Sequence, residues 1–350
     1  MEKTSDYHDL RQDQTLTDDT EQDHHPYDSL TPDVILDAVE SQGYLCTGEL
    51  LALNSYENRV YRVRIESGEN LAVKFYRPLR WPRPAILEEH QFARELFDAE
   101  IPLVAPLRND AGESLHHFQG FDFSLYPWQP GRAPELNDDE EFRIMGRYLG
   151  RIHAVGATRP FQHRPRLDID TFGREPAQYL MTSRFIPMHL ETAYSTLIEQ
   201  LLQKMESVFK SAAPIKYIRL HGDCHLGNVL WSEGRPHIVD LDDCRSGPAV
   251  QDLWMLLSGE RPEREHQLSL ILEGYKEFHS FNYNELALIE SLRTLRLIHY
   301  SAWLAQRWDD PAFPIAFPWF DSNRYWEEQV LTLREQQAEL NEPALTGKVY

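Results

Sequence analysis

The chain has 350 residues, of which 41% are hydrophobic and 11% aromatic, so it is long enough for two lobes with separate cores. Its formal net charge of −21 argues against nucleic acid as a partner, because phosphate backbones would be repelled. The cysteines are sparse, and no apolar run approaches about eighteen residues, the length of a membrane span. We therefore expect a cytoplasmic protein with no membrane segment and no disulfide framework.

The N-terminal stretch is unusually acidic. Residues 1–28 carry nine acidic side chains against Lys3 and Arg11, and almost no aliphatic ones. Such a segment cannot bury enough apolar surface to order itself. The sequence therefore predicts a disordered acidic tail over residues 1–28.

A small lobe is predicted over residues 29–127. Thr31-Pro32-Asp33 is typical of a helix start, which predicts a helix to about Gln42. Polar turns then separate short apolar segments that point to an antiparallel sheet. The predicted strands cover residues 44–53, 60–65, 71–76 and, last, 121–125.

The third predicted strand carries Lys74 in the otherwise apolar stretch Leu71-Ala-Val-Lys-Phe-Tyr. A lysine in such a strand is as often a solvent-facing residue as a functional one. The following helix, predicted over residues 85–97, would turn four apolar side chains to the sheet. It also carries Glu88 and Glu89, and the spacing favours Glu89 as a partner of Lys74. The four apolar side chains are Leu87, Phe92, Leu96 and Phe97.

A Pro- and Gly-rich crossover, residues 126–132, leads into a second lobe over residues 128–350 that is predicted to be mostly helical. Residues 160–188 are rich in Pro and Arg, which indicates an irregular surface excursion. Other segments have the apolar spacing of helices. The predicted helices cover residues 138–157, 190–209, 249–257, 264–278, 283–307 and 322–338.

The most informative stretch is residues 221–243, which reads as a strand end, a loop, a short strand, a turn and another strand. This arrangement presents Asp223, Asn228 and Asp240 at the mouth of one hairpin. Phosphoryl transfer needs such a trio, because the protein must orient a hydroxyl and hold a metal against the phosphates. Asp223 would accept or orient the hydroxyl proton, and Asn228 and Asp240 would give oxygen ligands to Mg²⁺.

Two other interpretations of this stretch stay open. His221, Asp223 and His225 place three potential donors on one short loop, as the zinc site of a hydrolase would. That interpretation leaves Asn228 and Lys74 without a role. His221 is better explained as a structural residue that hydrogen-bonds the loop backbone.

The motif His-Gly-Asp-x-His-x-x-Asn, followed by Ile-Val-Asp-x-Asp-Asp, resembles the aminoglycoside phosphotransferase and choline kinase branch of the protein-kinase-like fold. The wider sequence, including Asn54-Ser-Tyr-Glu-Asn-Arg-Val-Tyr, is similar to bacterial stress-response kinases of this branch from about Leu30 onward. The resemblance implies a two-lobed α+β fold with an antiparallel-sheet N-lobe, a helical C-lobe and ATP between them.

The resemblance also implies roles for individual residues. Ser55 would lie near ATP, and Lys74, paired with Glu89, would hold its phosphates. Asp223 and Asp240 would be the catalytic aspartates. Asp252 would brace the catalytic loop, although an acid in the first turn of a helix would look the same.

The acceptor implied by the resemblance is Ser or Thr on protein, including the enzyme itself, in a stress response. A small-molecule kinase would carry the same catalytic residues, and the acidic surface would suit a cationic acceptor. A catalytically idle nucleotide-binding module is a further alternative. Eleven residues separate Asp240 from Asp252, which leaves no room for a long activation segment. We expect a monomer.

Overall fold

A computed structural model describes residues 25–347 of the chain. Within this range the strands are β1 (Cys46–Ala52), β2 (Arg59–Ile65), β3 (Asn70–Phe75), β4 (His116–Phe118), β5 (Phe121–Pro127), β6 (Tyr217–Leu220), β7 (Val229–Ser232), β8 (Arg235–Ile238) and β9 (Arg245–Pro248). The α-helices are α1 (Pro32–Glu40), α2 (Arg83–Asp98), α3 (Asp139–Gly156), α4 (Glu175–Thr182), α5 (Met188–Ser211), α6 (Val250–Trp254), α7 (Arg261–Tyr275), α8 (Ile289–Ala305), α9 (Ala312–Ala316) and α10 (Asn323–Glu339).

The small lobe is built on one antiparallel sheet with the strand order β1-β2-β3-β5-β4. One face of this sheet packs against α1 and forms a core of its own. Lys74 lies in the central strand β3, opposite Val60 of β2 and Ser124 of β5. Because side chains alternate along a strand, Lys74 points away from the face that buries Val73 and Phe75.

The predicted acidic tail lies largely outside the described residues. Its last four residues, 25–28, are described, and residues 26–28 belong to a turn that ends at Ser29. There the Tyr27 ring stacks on Phe121 with 6.2 Å between centroids, and its hydroxyl donates a 3.1 Å hydrogen bond to the Glu57 carbonyl. The first described residues of the chain thus pack against the sheet of the small lobe.

Helix α2 joins the two lobes, and its buried stripe differs from the predicted one. Phe92 and Leu96 are buried in the core of the large lobe, while Leu87 and Phe97 are 46% and 50% exposed. The prediction that all four face the sheet is therefore wrong. Glu89 is buried by its ion pairs, and a rotation that buried Leu87 would turn Glu89 toward solvent.

The large lobe is mostly helical, and it contains four elements that were not predicted: a π-helical turn, α4, β9 and α9. The stretch predicted as irregular contains a π-helical turn, Asp170–Arg174, followed by α4. Pro176 misled the prediction, because a proline in the first turn of a helix loses no hydrogen bond. Strand β9, which contains Gly247 and Pro248 and was not among the predicted strands, pairs antiparallel with β6. None of the helices within residues 25–347 has the length and apolarity needed to cross a bilayer.

Helices α3 and α7 pack with their backbones in close contact. A Cβ atom on Gly146, Gly150 or Gly274 would lie 2.1–2.5 Å from a carbonyl oxygen of the other helix. The close packing brings His153 of α3 within 3.0 Å of the Tyr275 hydroxyl of α7. These glycines therefore fix the position of a buried histidine.

We expect Gly150→Ala to lower the free energy of unfolding by about 1–3 kcal/mol, because the added methyl group would push the two helices apart. Urea denaturation measures this change. Glu335→Ala, on the exposed side of α10, is the control and should change stability by less than about 0.5 kcal/mol. An unchanged denaturation midpoint for Gly150→Ala would mean that the helices are farther apart than described.

Candidate active site

A cleft of about 610 Å³ lies between the two lobes. Part of its lining is apolar and comes from both lobes, with Val60 and Ala72 from the sheet and Leu230 and Ile238 from the β7–β8 hairpin. The rest is polar or charged, and it contains the residues that the sequence analysis selected. These are Ser55, Lys74, Glu89, Asp223, Asn228 and Asp240.

Lys74 is buried in the cleft among three carboxylates. Its Nζ atom lies 3.7 Å from Glu89, 3.1 Å from Asp240 and 3.0 Å from Asp242. Burial alone would favour the neutral amine, but the charges of Asp240 and Glu89 outweigh it and raise the pKa of Lys74 above its usual value. The lysine is therefore a fixed cation, held by carboxylates from both lobes.

The two glutamates of α2 have different partners. Glu89 contacts Lys74 and also pairs with the buried Arg164. Glu88 accepts hydrogen bonds of 2.6, 2.8 and 2.9 Å from the backbone N–H groups of residues 162–164. Glu88 therefore anchors a loop of the large lobe and does not contact Lys74.

Asn228 and Asp240 flank the β7–β8 hairpin and line the same cleft. Asp240 follows β8 in a left-handed conformation with φ 58°, and its side chain is 53% exposed. The Asn228 amide nitrogen donates a 3.0 Å hydrogen bond to the Asp223 carbonyl, so its amide oxygen is the atom left for a ligand. A carboxylate and an amide oxygen are the ligand types that Mg²⁺ prefers, so this donor set fits the ion.

Asp223 lies in the loop between β6 and β7 and has two basic partners. One carboxylate oxygen is paired with Arg296 of α8, and the other lies 3.4 Å from His225. Burial opposes its ionisation, but the hydrogen bond from His225 and the charge of Arg296 lower the pKa of Asp223 to about 2. It is therefore ionised near neutral pH.

The histidines of this loop make separate contacts. The His221 side chain hydrogen-bonds the Val239 carbonyl at 2.9 Å and, through Nδ1, the Asp223 N–H at 3.3 Å. His225 Nδ1 accepts from the Gly227 N–H at 3.0 Å. Each histidine is thus engaged by the loop itself, and among the described residues the two do not converge with Asp223 as zinc ligands would.

Asp252 binds the backbone of the loop between β6 and β7. It is fully buried and accepts hydrogen bonds from the N–H groups of His221 and Gly222, at 2.9 and 2.8 Å. His153 of α3 lies 3.0 Å from the same carboxylate. Asp252 braces the loop backbone, and its place at the start of α6 is secondary.

Asp242 and Arg164 are among the residues of the site that were not predicted. Asp242 is buried between Lys74 and Arg80, although the sequence left it unassigned. Arg164 contacts Glu89 and the Asp242 carbonyl from the segment predicted as a surface excursion. The run of acids after Asp240 was a signal for the first group, whereas no pattern marks Arg164.

The loop after β1 closes over the cleft without any glycine. Ser55 Oγ donates a 2.9 Å hydrogen bond to the Asn58 carbonyl within this loop. Glu57 lies 3.6–3.7 Å from the guanidinium groups of Arg77 and Arg80 in the small lobe. Its carboxylate also accepts from two side chains of the large lobe, Trp303 and Arg307.

Comparison with known proteins places this cleft in context. Residues 49–289 match the model of the phosphotransferase enzyme family. Stress response kinase A of Escherichia coli is 44% identical over 319 residues, which cover 91% of this chain and 96% of that protein. Serine/threonine protein kinase RdoA of Salmonella typhimurium gives the same identity and coverage.

Solved structures with a similar fold are more distant in sequence. Amicoumacin kinase, in a complex with AMP-PNP, Ca²⁺ and its ligand, has a TM-score of 0.65 at 20% identity and covers 85% of this chain and 93% of its own. A microcompartment-associated aminopropanol kinase has a TM-score of 0.64 at 16% identity, covering 89% and 99%. The predicted two-lobed α+β fold is confirmed.

We expect Asp252→Asn to lower the melting temperature and to make the loop between β6 and β7 more mobile. The reason is that one carboxylate oxygen becomes an NH₂ group, which cannot accept a hydrogen bond. The lost acceptor leaves a buried N–H unpaired and costs about 1–3 kcal/mol. Thermal unfolding and hydrogen exchange at Gly222 measure the two effects. Asp309→Asn, at an exposed site, is the control. Equal melting temperatures for the two variants would mean that Asp252 is only a helix-start charge.

Proposed function

The chain belongs to the phosphotransferase enzyme family, and from this premise we propose that it transfers the γ-phosphoryl group of ATP to Ser or Thr hydroxyls of protein. One observation carries the proposal: Lys74, Asp223, Asn228 and Asp240 line a single cleft in which Lys74 is already paired. The complete set also argues against an idle nucleotide-binding module, which would not need a base.

The cleft offers separate surfaces for the two parts of ATP. The adenine would lie between Val60 and Ala72 on one side and Leu230 and Ile238 on the other. The phosphates would reach Lys74, whose charge is kept by its carboxylate partners. Glu89 positions the lysine and does not need to touch the nucleotide. Ser55, in the loop over the cleft, would lie near the phosphates.

Mg²⁺ is the metal that we propose for the reaction. Asn228 and Asp240 would hold it through their side-chain oxygens. When bound, the ion neutralises phosphate charge, which stabilises the transfer of the phosphoryl group. Asp240 would then serve both as a ligand of the metal and as a partner of Lys74.

Asp223 would receive the acceptor hydroxyl. A carboxylate with a pKa of about 2 is a weak base. Phosphoryl transfer makes little demand on base strength, because its transition state is largely dissociative. The main effect of Asp223 is therefore to accept a hydrogen bond from the hydroxyl and aim its oxygen at the phosphorus atom.

The protein acceptor is supported by the relatives at 44% identity, of which one is called a serine/threonine protein kinase. Their names also support a part in the stress response. The more distant solved structures act on small molecules, so a small-molecule hydroxyl kinase is the second candidate. We further propose a cytoplasmic monomer, in keeping with the three free cysteines.

The first test is incubation of the purified protein with γ-labelled ATP and Mg²⁺. The acceptors are a basic protein, an acidic protein and, separately, a panel of amino alcohols and aminoglycosides. We expect label on Ser or Thr of protein. Asp223→Ala should lower this transfer by about 10² or more, the scale of a positioned base, and leave ATP binding in place.

Two controls accompany this test. Asp309→Ala removes an exposed carboxylate and should leave the transfer unchanged, and omission of Mg²⁺ should abolish it. Label on a small molecule alone would keep the fold and overturn the protein acceptor. Label that persists in Asp223→Ala would remove that residue from the mechanism.

The contacts of Glu57 yield a separate prediction. Glu57→Gln weakens the link between the loop over the cleft and the large lobe, because the neutral amide loses most of its attraction to Arg307. We expect release of bound ADP to become faster by about tenfold, as measured by stopped-flow displacement. Glu49→Gln, exposed on β1, should leave the rate unchanged.

A further inference from the structure

The acceptor side of the catalytic residue is basic. Arg296 of α8 is ion-paired with Asp223, and its side chain is 40% exposed. The described residues that line the nucleotide cleft include Asp223 but not Arg296. Arg296 therefore reaches Asp223 from outside the nucleotide site, where an acceptor must approach.

Other basic groups near this position already have partners. Arg245 pairs with Asp243 at 2.7 Å, and Arg307 pairs with Glu57. Within residues 25–347, the one carboxylate paired with Arg296 is Asp223, which must turn to the acceptor hydroxyl during transfer. When the Asp223 carboxylate accepts a hydrogen bond from the hydroxyl, its ion pair with Arg296 weakens. The guanidinium group then has N–H donors available for another acceptor.

Aromatic side chains continue the surface along α8. Tyr300 and Trp303 follow Arg296 at helical spacing, so the three share one side of the helix. Tyr300 stacks against Trp303 at 5.7 Å and is 37% exposed, and Tyr56 of the loop over the cleft is 38% exposed beside Phe317. The acceptor side thus offers one cation and a partly exposed aromatic wall.

We propose that Arg296 selects a protein acceptor in which the Ser or Thr lies beside an acidic side chain. This inference rests on the proposed protein kinase function and names its substrate class. The acidic group would pair with Arg296 as the hydroxyl takes the Asp223 carboxylate, so binding of the acceptor frees the catalytic residue. A cationic amino alcohol would be repelled at the same place.

The net charge of −21 does not oppose this choice. At physiological salt, interactions between exposed charges are screened beyond about 8 Å, so the direct partner decides. A guanidinium and a carboxylate in contact form a charge-assisted, often bidentate pair. The local charge at Arg296 therefore outweighs the distant surface charge.

The chain itself contains such an acceptor sequence, Thr17-Asp18-Asp19-Thr20-Glu21. The described part begins at residue 25, and Tyr27 contacts the carbonyl of Glu57 in the loop over the cleft. This segment is therefore a natural probe of the proposal.

The test uses the full-length enzyme and a synthetic peptide of residues 13–24. A second peptide carries Asp18→Asn, Asp19→Asn and Glu21→Gln. We expect the wild type to phosphorylate the acidic peptide with a kcat/KM at least about tenfold higher, the scale of one charged hydrogen bond. Arg296→Gln should reduce this ratio to about one, mainly through KM, and Arg296→Lys should retain part of it.

Arg324→Gln is the matched control, because Arg324 is an exposed arginine with a single carboxylate partner, Glu328. It should keep the wild-type ratio. If Arg296→Gln lowers the turnover of both peptides equally, Arg296 serves the phosphoryl group and not the acceptor. If the wild type gives equal kcat/KM values for the two peptides, it has no preference for an acidic acceptor. Either result overturns this inference and leaves the proposed protein kinase function standing. No label on any peptide or protein would overturn the proposed function and the inference with it.

Discussion

The buried charge of Lys74 is the constraint on which the rest of the structure depends. An ammonium group taken out of water costs several kcal/mol unless carboxylates surround it. The small lobe supplies Glu89 and the large lobe supplies Asp240 and Asp242. A single cation thus holds both lobes in one arrangement, and it can do so only while the cleft between them has the width described.

The carboxylates around Lys74 need partners in turn, and this explains several arginines. Arg164 pairs with Glu89, and Arg80 pairs with both Asp242 and Asp243. Removing Glu89, for example, would take this ion pair from the buried Arg164, and an unpaired buried charge costs more than the pair gains. We therefore regard the network as a single unit that fixes the position of the Lys74 ammonium group in the cleft.

Much of the candidate site was predictable from the sequence. Asp223, Asn228 and Asp240 lie close together along the chain, so their spacing alone places them in one loop and hairpin. Arg164 and Arg296 were not predictable, because each comes from a distant segment and its role depends on which helix faces the loop. Helix α2 shows the same limit: its apolar residues occupy two sides, and only the ion pairs of Glu89 decide which side is buried.

The connection between Asp240 and Asp252 is short, so other parts of the chain must hold the two lobes together. That connection carries β9, which pairs with β6, and has no length left for a movable segment. Besides the ion pairs of Lys74, the lobes are joined by Glu57 with Trp303 of α8, and by Arg77 with Asp310 at 2.8 Å. Helix α8 also carries Arg296, which is paired with Asp223. The helix that contacts the loop over the cleft is therefore the one that, in the proposed mechanism, would meet the acceptor.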